Sequence, residues 1–262
     1  LHTLFPYTTL FRSGFMKVLY FTATGNNLYV AKKIGGQYFS IPKLIKEKQL
    51  EFEDEKIGIV FPVYNGGVPK IVEEFLDKAN LKSKYIFGIA TYGAFSGSSS
   101  RHLFDIGEKN KINFSYINDL LMVDNYLPGF DMDKQIQKEP KKNIEENLIK
   151  IINDIKDGKK FIKKNPAIFE FVRIQAKKFF NNKFEKNFII EDNCNGCKVC
   201  ERVCPVDNIK VDKKPVFKNN CQHCLACIQN CPQKAITLKT EKSKARFINP
   251  NVTLKEIIEA NN

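Results

Sequence analysis

Outside the stretch from Cys194 to Cys231 the sequence has no cysteine, and it has no tryptophan anywhere. A secreted disulfide scaffold spreads its bridges along the chain. Confining all eight thiols to one segment excludes that class and points to a metal site in a reducing compartment. No apolar run approaches the roughly 20 residues that cross a bilayer. The longest, such as Ile57-Gly-Ile-Val-Phe61, have the length of a strand, so no membrane insertion is expected. The start lacks the basic, apolar and small-residue succession of a secretory signal, and a cytoplasmic protein is expected. Neither GxxxxGK[ST] nor G-x-G-x-x-G occurs, which argues against a nucleotide-hydrolysing P-loop and a dinucleotide fold.

Lys and Arg number 42 against 29 Asp and Glu, a difference of +13. Lys is raised together with Asn and Ile along the whole chain, and no aromatic-interleaved RNA signature accompanies it. The charge therefore reads as codon composition, with no nucleic-acid partner expected. A 43% hydrophobic content supports a buried core. At ~150 residues per domain, the length suits one full domain plus something smaller. Residues 1–14 show neither period nor caps and read as a translated sequencing-adapter remnant ahead of a native start at Met16.

From Met16 the pattern is regular. Met16–Phe21, Lys56–Val63, Tyr85–Ala90 and the segment Ile112–Val123 read as strands, with a weaker one around Tyr38–Ile41. Helical periods run over about Asn27–Ile34, Val68–Leu76, Ser99–Lys109 and Ile144–Ile155, the last ended by Gly158. Fully apolar strands alternating with amphipathic helices imply a parallel sheet covered on both faces. The expectation is an α/β, flavodoxin-like, doubly wound parallel five-stranded sheet in order 2-1-3-4-5 over residues 15–157. Residues 158–187 are basic and read as a helical linker. Phe169, Phe171, Val172, Ile174, Phe179 and Phe180 there pack one domain on the other or, alternatively, dock an acidic partner. Residues 241–262 read as a tail with a short peripheral helix and no chemical role.

The cysteines form a repeat. Cys194-Asn-Gly-Cys197-Lys-Val-Cys200-Glu-Arg-Val-Cys204-Pro205 recurs 27 positions later as Cys221-Gln-His-Cys224-Leu-Ala-Cys227-Ile-Gln-Asn-Cys231-Pro232. Ile209 aligns with Ile236 and Val211 with Leu238 beyond the prolines. Each half is the C-x2-C-x2-C-x3-C-P run of bacterial ferredoxins, whose fourth cysteine ligates the other cluster. Cys194, Cys197, Cys200 and Cys231 then hold one [4Fe–4S] cluster, and Cys221, Cys224, Cys227 and Cys204 the second. Crossing makes each half incomplete without the other, and a core of ~50 residues depends on such bonds. Two tetrahedral zinc sites of four cysteines each would also use eight thiolates, but they take close pairs and give no reason for a third cysteine at the same interval. His223, inside the second loop, reads as a surface residue or a donor to sulfide. Apolar neighbours Val199, Val203, Leu225, Ile228, Ile209 and Ile236 are expected to limit water at the clusters.

Three loops follow strands on one edge of the sheet. Thr22-Ala23-Thr24-Gly25-Asn26-Asn27 joins the first strand to a helix, where backbone N–H groups face an anion. Thr22, Thr24, Asn26 and Asn27 add side-chain donors, a set suited to a monophosphate. Pro62-Val63-Tyr64-Asn65-Gly66-Gly67 and Thr91-Tyr92-Gly93-Ala94, continued through Phe95 and Ser96 to Gly97, each pair a Tyr with Gly. Each offers a flat stacking surface beside a backbone that can approach a ring. Ser98-Ser99-Ser100 reads as a helix N-cap and His102 as an exposed first-turn residue.

On these motifs the chain, over about 15–240, resembles the EFR1-type flavodoxin–ferredoxin fusions: a flavodoxin-like domain followed by a small α+β 2[4Fe–4S] ferredoxin-like domain at 188–240. The resemblance implies FMN, with its phosphate on Thr22–Asn27, Tyr64 and Tyr92 beside the ring system, and the Asn65–Gly67 peptides at its N5 edge. The family's loop closes with Thr where this chain has Asn27, and no Trp is available to stack. The expected function is electron transfer between FMN, two clusters and redox partner proteins. A ferredoxin-type carrier that has lost FMN, a flavin-dependent reductase of a small molecule, and a zinc-stabilised interaction module are the alternatives.

Overall fold

The computed structural model describes residues 16–178 and 184–262. The readings of residues 1–14, Phe179 and Phe180 lie outside them. The first part runs β1 (Met16–Tyr20), α1 (Asn26–Ile34), β2 (Gln37–Ser40), α2 (Ile41–Lys46), β3 (Glu51–Glu53), β4 (Lys56–Pro62), α3 (Lys70–Leu76), β5 (Asn80–Lys82), β6 (Tyr85–Tyr92), α4 (Ser99–Asn110) and β7 (Phe114–Leu121). It continues through α5 (Met132–Gln137), α6 (Ile144–Lys156), β8 (Phe161–Ile162) and α7 (Ala167–Lys178). β9 (Phe188–Ile190), α8 (Val199–Arg202), β10 (Ile209–Val211), β11 (Pro215–Phe217), α9 (Ala226–Gln229) and β12 (Ile236–Leu238) carry the cysteines, and α10 (Leu254–Asn261) ends the chain.

The main sheet is parallel throughout, in the order β2-β1-β4-β6-β7-β8. Its first five strands have the 2-1-3-4-5 winding of a flavodoxin-like fold. The sixth, β8, goes beyond the five expected. Its two residues lie between lysine pairs, too short a run to show a period. It is held by pairing with Tyr116 and Ile117 and by the ion pair of Lys163 with buried Asp119. A separate parallel pair, β3–β5, lies outside this sheet.

Alternate side chains of the strands feed two cores. Val18, Tyr20, Val60 and Ile89 face α1 and α6; Leu19, Phe21, Ile59 and Phe61 face α3 and α4. The first core also contains Val199, Val203 and Ala226 of the cysteine repeat and Ile257 and Ala260 of α10. A third cluster joins Ile209, Leu225, Ile228 and Ile236 to Val123, Leu127 and Met132 from the segment after β7. The cysteine-bearing part is therefore packed into the sheet domain through shared apolar surface, whose removal from water is the main driving force for such association. Of the six apolar neighbours expected around the thiols, Val199 and Val203 instead point to the sheet.

The tail is not peripheral. Ile257 is fully buried, and α10 begins with a capping box between Thr253 and Glu256. Asn261 and Ala260 bond to Thr22 and Ser40, and Glu256 pairs with Lys32 of α1. The sequence shows only the helical period; the packing partners lie over 200 residues away. The hydrogen bond from Lys32 holds the Glu256 carboxyl at about 2, well below its usual 4.5. Because the folded pKa is depressed, this pair stabilises docking above pH 4.5 and loses its effect as pH falls toward about 2. Acid unfolding of Lys32→Met should show a shallower loss of stability across that window than the native chain. Identical acid profiles would refute the role of the pair.

Candidate functional site

The repeat in sequence is a repeat in structure. Lys198 and Leu225, 27 positions apart, both precede their short helices in left-handed conformation, at φ 63° and 58°. The N–H of Asn208 donates to Cys204 Sγ at 3.2 Å, and that of Ala235 to Cys231 Sγ at 3.3 Å, again 27 apart. β10 pairs with β11, and β12 with β9, both antiparallel.

The eight thiols, all free of disulfides, fall into two groups. Cys194, Cys197, Cys200 and Cys231 line one cavity with Gly196, Val211 and Ile236. Cys204, Cys221, Cys224 and Cys227 line another with Ile209, Phe217 and Leu225. Each foursome thus takes its last member from the opposite half of the repeat. Burial, more than the neighbouring sulfurs, pushes the Cys200 and Cys221 thiols up to about 12 and raises Cys204, Cys224 and Cys227 as well. Such thiols give up their protons only to a strongly cationic guest. Among the described residues, no three His, Cys, Asp or Glu side chains lie close enough to share one bare ion. The first group reaches the surface at exposed Cys197, whereas the second sits against the sheet domain.

A larger cavity, about 280 Å3, opens at the carboxyl edge of the sheet. Thr22, Ala23, Thr24, Asn26, Asn27, Pro62, Val63, Tyr64, Asn65, Gly66, Thr91, Tyr92, Gly93 and Ala94 all line it. So do Phe95, the fourth loop Met122–Tyr126, and His223, Cys224 and Leu225 of the second thiol loop. The α1 end of this cavity carries groups that could hold an anion. Gly25, at φ 93°, precedes the helix without a side-chain cap, and the N–H groups of Thr24, Asn26, Asn27 and Leu28 find no acceptor among the described residues. Buried helix amides without partners call for an anionic ligand. Thr24 Oγ1 accepts from Asn125 and Asn27 Oδ1 from Thr91, leaving the Thr24 O–H and Asn27 N–H free to donate.

Three expected site residues do not line this cavity. Gly25 turns its α-carbon toward Val252, where a side chain would sit 3.0 Å from that residue's Cβ. Gly67 faces His102 and Arg173 in a second, 390 Å3 cavity, and Gly97 packs on the Gly66 backbone. The Asn26 side chain is engaged elsewhere, Nδ2 donating to the Val123 carbonyl and Oδ1 accepting from Asn249, so only its backbone N–H is left for an anion. His102 is buried, accepting the Val68 N–H on Nδ1 at 3.1 Å, because α7 covers it through Arg173. Ser98 occupies the N-cap position of α4, yet its hydroxyl turns to the Gly66 carbonyl. His223 stacks on Phe184 at 4.3 Å and forms part of the cavity wall. The Met122–Tyr126 loop was foreseeable, since it too follows a sheet strand; the 223–225 contribution was not, because no local pattern marks it.

Tyr64 and Tyr92 both line the cavity, the first from a tight turn and the second from the end of β6. Tyr64 and Gly67 exchange backbone hydrogen bonds of 3.1 and 3.0 Å around Asn65 and Gly66, both with positive φ, the geometry of a type I′ turn. Burial raises both phenols, with Cys224 and Cys221 adding to Tyr64 and Asp119 to Tyr92, so both remain protonated. Burial likewise raises the Asp124 carboxyl at the cavity edge and lowers nearby Lys142.

Residues 186–232 match the 4Fe-4S dicluster domain family, a span containing all eight cysteines. No curated protein matches the chain. Similar solved structures include a Bacteroides uniformis protein assigned as a flavoprotein, at 17% identity and TM-score 0.33 over 48% of this chain and 97% of that one. A short-chain flavodoxin associated with a non-canonical PDU bacterial microcompartment gives 18% and 0.33 over 53% and 99%. A Lactobacillus acidophilus flavoprotein in complex with FMN gives 13% and 0.30 over 48% and 99%. The fold assignment rests on strand order and not on these likenesses. Among the described residues no helix is long and apolar enough to cross a membrane.

The two thiol groups generate a direct test. After anaerobic reconstitution, Cys231→Ser should perturb the centre built on Cys194, Cys197 and Cys200, and Cys204→Ser the centre built on the second loop. Electron paramagnetic resonance and iron counts distinguish the two outcomes. Loss confined to the centre of the mutated half would contradict the crossed grouping.

Proposed function

We propose that this chain is an iron–sulfur flavoprotein electron carrier that holds two [4Fe–4S] clusters on its thiol foursomes and FMN in the cavity at the sheet edge. The observation that carries this reading is the shared wall: Cys224 lines both the flavin cavity and the second thiol group. Bound together, the flavin would exchange one or two electrons and the clusters one at a time.

The chain's own residues supply position and environment. The unpaired amides at the start of α1, with the Thr24 hydroxyl and Asn27 amide, suit the FMN phosphate. That buried donor set favours a working flavin site over a decayed one. Tyr64 and Tyr92 suit the ring faces and the Asn65–Gly66 peptide its edge, Gly67 being turned to the second cavity. The third cysteine at the same interval and the trailing Cys-Pro of each half support cubes, whose four thiolates sit on separate irons, over tetrahedral zinc. N–H donors to Cys204, Cys231 and Cys221 would raise the cluster potentials, while the apolar lining would lower them.

In this reading exposed Cys197 would put the first foursome within reach of a partner, and Cys224 would hold the second beside the flavin cavity. The basic segment 158–187 suits acidic redox proteins as partners. A reducing, cytoplasmic setting suits eight unbridged thiols.

Anaerobic purification should give one FMN and about eight iron and eight sulfide per chain. Riboflavin, without the phosphate, should bind at least ~10-fold more weakly than FMN, since charge-assisted bonds are lost. Equal affinities, or zinc without acid-labile sulfide, would refute the assignment.

A further inference from the structure

Four asparagines from four separate segments hold the Thr22–Asn26 loop. Asn261 Nδ2 donates to the Thr22 carbonyl at 3.2 Å, Asn230 Nδ2 to the Ala23 carbonyl at 2.9 Å and Asn125 Nδ2 to Thr24 Oγ1 at 2.6 Å. Asn249 donates through its backbone to the Thr24 carbonyl at 2.8 Å and through Nδ2 to Asn26 Oδ1 at 3.0 Å. With its carbonyls bound outward, the loop is left presenting amides inward, which is what an anion site needs.

Asn230 alone among the four belongs to the cysteine repeat. It directly precedes Cys231, is buried, and uses the same Nδ2 to hold the Ala226 carbonyl at 2.8 Å. Its neighbour Gln229, also buried, donates to the Asn125 carbonyl and accepts from the Phe247 N–H, both at 2.8 Å. The corresponding positions in the first half, 27 residues earlier, are Arg202 and Val203, so the amide pair exists only in the half that faces the loop. The supporting helix α9 has four residues and no stability of its own. Cys227 within it and Cys231 two residues beyond its end belong to different foursomes. The place of Asn230 is therefore fixed when both thiol groups are anchored.

We infer that Asn230 is a positioning residue through which the clusters control order in the anion loop, and so the affinity for FMN. The inference rests on the proposed flavin site and extends it. By linkage the dependence is reciprocal, so bound FMN strengthens the chain's equilibrium hold on its iron.

The test uses the full chain under anaerobic conditions, with FMN affinity followed by quenching of flavin fluorescence before and after the clusters are stripped by an oxidant and a chelator. In the native chain, stripping should weaken FMN binding at least ~10-fold. Asn230→Leu, with its iron retained, should bind FMN weakly from the start and lose less than ~3-fold more on stripping. Equal losses in both proteins, or none in either, overturn the coupling. Failure of the loaded native chain to bind FMN at all overturns the flavin reading and this inference with it. Iron release from the native chain to a chelator gives a second readout independent of the variant's folding. Saturating FMN should raise several-fold the chelator concentration at which half the iron is lost at equilibrium, and an unchanged midpoint overturns the inference.

Discussion

Burial of the Cys221–Leu225 loop against the carboxyl edge of the sheet is the constraint on which the rest of the structure depends. His223 and Leu225 both adopt left-handed backbone, at φ 56° and 58°, a conformation that costs a non-glycine residue roughly 1–2 kcal/mol. Packing offsets that cost: Leu225 is buried among Val123, Leu127 and Ile228, and the His223 ring lies on Phe184. Displace the loop and the cavity loses a wall while the second thiol group loses Cys221 and Cys224, two of its four members.

The electrostatics of the junction follow from the same burial. The cavity wall nearest the thiols is made of protonated tyrosine, backbone amides and apolar side chains, with no lysine or arginine among its lining residues. Negative charge at the far end is met by oriented dipoles at the start of α1, which need no mobile counter-ion. Asp124 is the carboxyl that borders the space, and burial disfavours its charged form. Under the proposed function, a low-polarity partition between the flavin and cluster sites would limit water and leave potential to be set by local hydrogen bonds and exposure.

What the sequence makes legible is what is local. The cysteine intervals, the Thr22–Asn27 turn between a strand and a helix, and the run of doubly buried strands are contiguous patterns with one physical meaning each. Illegible were features that join distant segments. The tail packs on Gly25 and Asn26 through Val252 and Asn249, residues that carry no periodic signal. His102 has the spacing of an exposed first-turn residue and is buried because α7 covers it. Asn26 sits in a loop rich in donors, yet its amide is spent on Val123 and Asn249, which only the folded arrangement reveals. β8 is too short to announce itself against four flanking lysines.

Direct electron exchange across the shared wall is the central claim, and rapid-reaction kinetics tests it most directly. The FMN- and cluster-loaded chain would be given less than one reducing equivalent by flash photoreduction, and flavin and cluster absorbance followed as they equilibrate. The structure predicts redistribution at a rate independent of protein concentration. A rate proportional to concentration, or flavin and clusters that never equilibrate within one chain, would contradict it.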